Sequence, residues 1–139
     1  MVKGGLIHPH ILESVAAAGH GAQILITDGN YPASTKTKED VNKVYLNLAP
    51  GLVNVTDVLK VLVEVINIEE ATVMAPSKGD KPAIFKEFKR ILSSGTDFNE
   101  IGRFEFYDKC VSNQDLCLVI VTGEQRIYAN ILLTIGVVK

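Results

Sequence analysis

Tryptophan is absent, cysteine occurs twice, histidine three times, and the charges nearly cancel, leaving a formal −2. Each shortage removes a class of function. Cys110 and Cys117 show no Cys-x-x-Cys spacing, so they build neither a disulfide framework nor a thiolate metal site and read as reduced, structural thiols. His8 and His10 have no carboxylate or third histidine at ligand spacing, so no metal is expected; Pro9 between them opens a helix instead. The balanced charge leaves no basic footprint for nucleic acid. No apolar run reaches the roughly 18 residues of a membrane span. Met1-Val2-Lys3-Gly4-Gly5 also lacks the apolar core of a signal peptide, so a cytoplasmic protein with no membrane partner is expected.

What is plentiful is hydrophobicity. Apolar residues make up 47% of the 139 positions, and mean hydropathy is +0.20. That supports one sizeable core and is too short for two ordinary ones, so residues 1–139 read as a single domain. Surplus apolar surface in a chain without a membrane segment is ordinarily buried between subunits, so a homo-oligomer is expected.

Periodicity divides the chain into alternating helices and strands. Ile11, Leu12, Val15 and Ala16 form one stripe of a helix over residues 10–18, stopped at Gly19. Gln23 to Thr27 reads as a strand broken by Asp28-Gly29-Asn30 and Pro32. Residues 33–43 are polar and mixed in charge, a solvated excursion, and Val44 to Leu48 alternates as a short strand. Thr56 is placed to cap a second helix carrying Val58, Val61, Leu62 and Val65, and Ala71 to Met74 is a third strand. Pro82 opens a helix with the stripe Ile84, Phe85, Phe88, Ile91 and Leu92. Residues 99–103 are ambiguous, and Phe104 to Val111 is helical, with Arg103 at its start and Tyr107 one turn on. Leu116 to Val121 and Ile131 to Ile135 are β-branched, nearly uncharged runs typical of strands covered on both faces. Connections too long for hairpins point to a three-layer α/β/α domain around a central mixed sheet.

Polar residues set between such buried strands are candidates for a site. Thr122-Gly123-Glu124 and Tyr128-Ala129-Asn130 separate the last two strands, and on an extended segment Tyr128 and Asn130 share a face. Gly19-His20-Gly21 and Asp28-Gly29-Asn30 flank the first strand and offer an imidazole and a carboxylate, which together read as one small polar pocket. Each block also has a plain structural use, as a helix stop or a turn. The glycines do not form a dinucleotide fingerprint, and no phosphate-binding loop or Gly-x-Ser-x-Gly elbow is present.

Gly19-His20-Gly21, Asp28-Gly29-Asn30-Tyr31-Pro32, Arg103-Phe104-Glu105-Phe106-Tyr107 and Thr122-Gly123-Glu124 with Tyr128-Ala129-Asn130-Ile131 stand in order over nearly the whole chain. In sequence and spacing they resemble the ribose pyranase and fucose mutarotase family. The resemblance implies His20 as the proton-transferring residue, a catalytic part for Tyr107, and Asp28, Arg103, Tyr128 and Asn130 as contacts to sugar hydroxyls. It also implies an α/β fold in pentameric rings, often paired as a homodecamer, with sites at or near subunit contacts. The Arg-Phe-x-Phe-Tyr block resembles the fucose mutarotase branch, since ribose pyranases typically carry histidine where Arg103 stands. The expected activity is therefore L-fucose mutarotase, an isomerase that needs no cofactor. D-ribose pyranase and a non-catalytic monosaccharide-binding protein are the alternatives.

Overall fold

A computed structural model describes residues 1–139. In chain order it contains α1 (Pro9–Ala17), β1 (Gln23–Thr27), β2 (Asn42–Tyr45), α2 (Val55–Leu62), β3 (Ile68–Met74), α3 (Ile84–Ile91), β4 (Asp97–Ile101), α4 (Arg103–Val111), β5 (Leu116–Val121) and β6 (Ile131–Ile135). The strands form one six-stranded sheet of order β2-β5-β1-β6-β3-β4. Strand β6 runs antiparallel to its neighbours β1 and β3, whereas the other pairings are parallel. The sheet is therefore mixed, as expected. Its topology brings the C-terminal ends of β1, β3, β4 and β5, together with the start of β6, to one edge. No helix is long and apolar enough to cross a membrane.

Alternation along the strands supplies two cores. Ile24, Ile26, Leu118, Ile120 and Leu133 face α1, α2 and α3, meeting Ile11, Leu59, Leu62, Phe85 and Phe88. Leu25, Val119 and Leu132 face the other way, onto Phe106 and Cys110 of α4 and onto Tyr31, Ala33 and Val41. Helices thus cover both faces, and burial of Phe88 or Phe106 is worth about 3–5 kcal/mol against truncation to alanine.

Several boundaries differ from the sequence reading, each for a physical reason. Residues 33–43 are not a solvated excursion: Ala33, Thr37 and Val41 are buried, and Thr37 Oγ1 donates to the Ala33 carbonyl at 2.8 Å. Their polar neighbours disguise a segment that closes the second core. Strand β2 is shifted towards Asn42, and Leu48 lies exposed beyond it. Strand β3 begins three residues earlier than expected, at Ile68, with an irregular register between Ile68 and Glu70. Strand β4 was hidden because an edge strand reading Asp-Phe-Asn-Glu-Ile is half exposed and shows little apolar alternation. Helix α2 takes Asn54 rather than Thr56 as its N-cap; Asp57 accepts from the Asn54 N–H at 2.9 Å, and Val65 falls outside the helix, exposed.

The loop after β5 is pinned where it leaves the sheet. Gly123 donates to the Val53 carbonyl at 3.0 Å, and a Cβ there would collide with the carbonyl oxygens of Ala49 and Leu52. A backbone approached this closely from two sides admits only glycine. Gly123→Ala is expected to cost about 1–3 kcal/mol through overpacking, read as a lower urea midpoint. An unchanged midpoint would contradict this packing.

Candidate active site

Open sheets of this kind carry their ligands beyond the carboxyl ends of their parallel strands. That is where the polar residues gather. Asp28 follows β1, Met74 ends β3, Arg103 opens α4 just after β4, and Asn130 immediately precedes β6. With Tyr107, Ile127 and Tyr128 they line a cavity of about 340 Å³, completed by Asn30 and Tyr31. The volume falls at the lower end of the range for small-molecule pockets.

Asp28 and Asn130 are both buried and bond each other twice. The Asp28 N–H donates to Asn130 Oδ1 at 2.8 Å, and Asn130 Nδ2 donates to Asp28 Oδ2 at 3.0 Å. The other oxygen, Asp28 Oδ1, accepts from the Asn30 N–H at 2.9 Å. Burial pushes the Asp28 carboxyl above the ordinary aspartate range, and hydrogen bonds from the Asn30, Tyr31 and Ala129 backbone and the Asn130 side chain offset this only in part. Asn130 keeps one N–H and one lone pair for a ligand.

Across the cavity, Arg103 Nε donates to Tyr107 Oη at 3.2 Å, an i,i+4 pair on the first turns of α4. The guanidinium also lies 5.4 Å from the Phe104 ring centroid and 5.5 Å from that of Tyr107. Since Arg103 supplies the proton in that bond, the phenolic O–H of Tyr107 remains free to donate elsewhere. Tyr31 packs edge-on against Tyr107, its hydroxyl donating to the Lys36 carbonyl at 2.8 Å. Burial raises its phenol far above the usual range, so it is a neutral wall.

The loop between β5 and β6 behaves in two ways. Its first part turns inward: Thr122 Oγ1 donates to the Thr27 carbonyl at 2.7 Å, and Glu124 is buried against Arg126. Burial pushes the Glu124 carboxyl up, but the hydrogen bonds and charge of Arg126 outweigh this and hold it below the usual range. Its second part presents Ile127 and Tyr128 to the cavity. Tyr128 and Asn130 do share the site, though not by strand alternation, because Tyr128 has φ +60°. That left-handed conformation costs a bulky residue roughly 1–2 kcal/mol.

His20 is not in this cavity. It precedes β1, while Asp28 follows it, so the two flank opposite ends of a strand roughly 17 Å long. The two polar blocks of the first strand therefore do not form one pocket within a chain; the sequence pattern marks strand ends without saying that they are opposite ends. His20 Nε2 meets both carboxylate oxygens of Glu69, at 3.1 and 3.0 Å, on a half-exposed surface. At the far N-terminus, His8 Nδ1 accepts from the Ile11 N–H and caps α1. No three His, Cys, Asp or Glu side chains converge as metal ligands would.

Three lining residues, Asn30, Tyr31 and Ile127, escaped the sequence reading as contacts. Asn30 and Tyr31 continue the turn begun by Asp28, and Met74 ends a strand pointing at the same edge. Only Ile127, an apolar residue inside a polar loop, gave a local signal.

The Asp28 carboxyl should titrate above the ordinary value of about 3.9 in carboxyl-detected NMR. For an acid whose folded value is raised, the native state binds the proton more tightly, so stability falls as pH rises from the ordinary value through the folded one. Glu124 has the opposite sign: its contribution is complete above about 4.3 and is lost as pH falls through its lower folded value. A normal or depressed Asp28 titration would contradict its burial among neutral donors.

Among solved structures, Bacillus subtilis RbsD in complex with D-ribose is 29% identical, with 100% of both chains covered and a TM-score of 0.86. FucU from Bifidobacterium longum is 27% identical over 96% of this chain and 97% of that one, at a TM-score of 0.74. The fucose mutarotase of Streptococcus pneumoniae in complex with L-fucose is 23% identical over 96% and 95% of the two chains, at a TM-score of 0.80, a likeness of fold. Residues 1–138 match the family described as the RbsD / FucU transport protein family. With fold and family in agreement over essentially the full length, the chain belongs to the RbsD / FucU family.

Proposed function

We propose that this chain is a cofactor-independent monosaccharide mutarotase that interconverts the anomers of L-fucose. The observation carrying this reading is the convergence of Asp28, Arg103, Tyr107, Tyr128 and Asn130 on one cavity. A carboxylate that accepts, a guanidinium that donates and phenols and a carboxamide that do both match the alternating demands of adjacent sugar hydroxyls. Met74 and Ile127 add an apolar side to the same cavity. A 6-deoxy sugar, with a methyl group in place of a hydroxymethyl, fits such a side without leaving a hydroxyl unpaired.

Anomer exchange requires the proton on the anomeric oxygen to leave and the ring oxygen to gain one. The ring then opens to the aldehyde, a carbon–carbon bond rotates, and reclosure from the other face returns the protons. Tyr107, its oxygen held by Arg103 and its own proton free, is suited to donate to a sugar oxygen, and Asp28 fixes a hydroxyl as acceptor. His20 is the residue that takes and returns the second proton near neutral pH. A subunit's own His20 lies at the far end of β1, so the imidazole serving each cavity is assigned to a neighbouring copy. The active unit is then a homo-oligomer, in the pentameric rings or homodecamer that the resemblance implies.

D-ribose is the second reading, favoured by the full-length likeness to the RbsD structure that holds it. Saturation-transfer NMR on L-fucose and D-ribose side by side separates the two, with faster exchange of L-fucose expected and a ribose preference reversing the assignment. Binding of either sugar with no enhanced exchange would make this a non-catalytic monosaccharide-binding protein.

His20→Ala should lower exchange by about 10²-fold or more without loss of folding. Mixing it with an equally inactive Asp28→Ala chain, by joint unfolding and refolding, should restore part of the activity. Recovery requires intact His20 and intact Asp28 to meet across a subunit contact. Full activity in His20→Ala removes the residue from the reaction, and no recovery on mixing removes its action in trans.

A further inference from the structure

Residues 125–129 form a wall one chain thick. On one side Ile127 and Tyr128 line the cavity described above; on the other they line a second cavity of about 560 Å³, closed by Pro76, Pro82 and Ile84. Only its inner end is packed into the sheet's cores, Ala129 in the first and Tyr128 against the second. Residues 127–128 form a turn outside any helix or strand, and Ile127 is 68% exposed. Yet the wall holds Tyr128 in the left-handed region, which persists in a bulky residue only where its surroundings over-determine it.

Two buried carboxylates do the holding. Asp28 accepts from the Ala129 N–H at one end. At the other end Glu124, only 3% exposed, accepts from Arg126 three times: from its backbone N–H at 3.1 Å, Nε at 3.0 Å and Nη2 at 2.8 Å. Glu124 also accepts from the Val55 N–H at the start of α2, and Arg126 Nη1 reaches Glu87 on α3. The guanidinium therefore ties the wall to two helices that are themselves packed into the main core. The planar fork matters, since a lysine has the charge but only one nitrogen, where arginine sets two on Glu124 and a third on Glu87.

We propose that Glu124 and Arg126 are positioning residues, a clamp that sets the Tyr128 side chain against the sugar without touching the sugar itself. The inference rests on the mutarotase reading for its kinetic readout. Losing the clamp frees Tyr128 from its left-handed conformation and removes one face of the cavity. Asp28, Arg103 and Tyr107, carried by other elements, stay in place. The defect therefore falls on sugar binding rather than on proton transfer.

The test compares Arg126→Ala and Arg126→Lys with the unsubstituted protein. KM for L-fucose exchange is expected to rise about tenfold or more in both, with kcat within about threefold, the pattern of lost uniform binding. Lysine should not rescue. With tyrosine ring-labelled protein, which has four tyrosines, the Tyr128 resonance assigned through Tyr128→Phe should shift or broaden in each variant. A purely structural role would lower stability and leave that resonance and KM alone. Unchanged KM and an unchanged Tyr128 signal, or full rescue by lysine, overturn the clamp. Should Arg126→Ala fail to fold, Arg126→Lys, which leaves Glu124 with a cation, decides alone. If the unsubstituted protein exchanges no aldose, the functional reading fails, and the Tyr128 resonance in Arg126→Lys still decides whether the clamp holds that side chain.

Discussion

Asp28 and Asn130 lie 102 positions apart in the chain and exchange two hydrogen bonds in the buried seam between the end of β1 and the start of β6. The arrangement exists because β6 runs against β1, so one strand leaves the sheet where the other enters it. A carboxylate at such a place would be costly without partners. It is tolerated because Asn130 and the backbone of the Asp28 turn and of Ala129 supply donors. Those same bonds fix the turn that carries Asn30 and Tyr31 and the last residues of the loop that carries Tyr128. Most of the cavity is thus built outward from a single polar pair.

The edge of the sheet holds a second buried carboxylate, and the contrast defines what each does. Glu124 faces a guanidinium and is held ionised; Asp28 faces neutral donors and is pushed towards protonation. Burial raises both carboxyls, more strongly at Asp28, and only Glu124 has a formally charged partner that reverses the shift. A carboxylate bound by arginine on both oxygens has little left to offer a ligand. One bound by amides remains responsive to what enters the cavity. On the proposed reading Glu124 accordingly belongs to the frame, and Asp28 to the face that meets the sugar.

Runs such as Leu116 to Val121 and the stripe of α3 were legible because burial on both faces, or on one helical face, imposes a pattern on consecutive residues. Strand β4 and residues 33–43 were not, because edge strands and core-closing loops bury only occasional side chains. Five residues of the cavity lining, Asp28, Arg103, Tyr107, Tyr128 and Asn130, were named through the resemblance to a family, yet their assembly was not legible. Tyr128 and Asn130 come together through a left-handed turn that no i,i+2 rule describes. His20 and Asp28, eight positions apart, are separated by a whole strand. Which end of a strand a motif occupies is a property of topology, and local pattern carries no record of it.

That separation constrains assembly on the proposed reading. Each chain presents an imidazole at one end of its sheet and the polar cavity at the other. A two-fold pairing would need one patch that spans both ends, so that the imidazole end of each copy meets the cavity end of the other. A head-to-tail contact needs only the imidazole end of one copy against the cavity end of the next. Contacts of that heterologous kind close into rings when the rotation between copies divides a full turn. On the proposed reading, a head-to-tail ring would bring each imidazole to a neighbour's cavity through one repeated contact, and that contact would both complete the cavity and hold the assembly together.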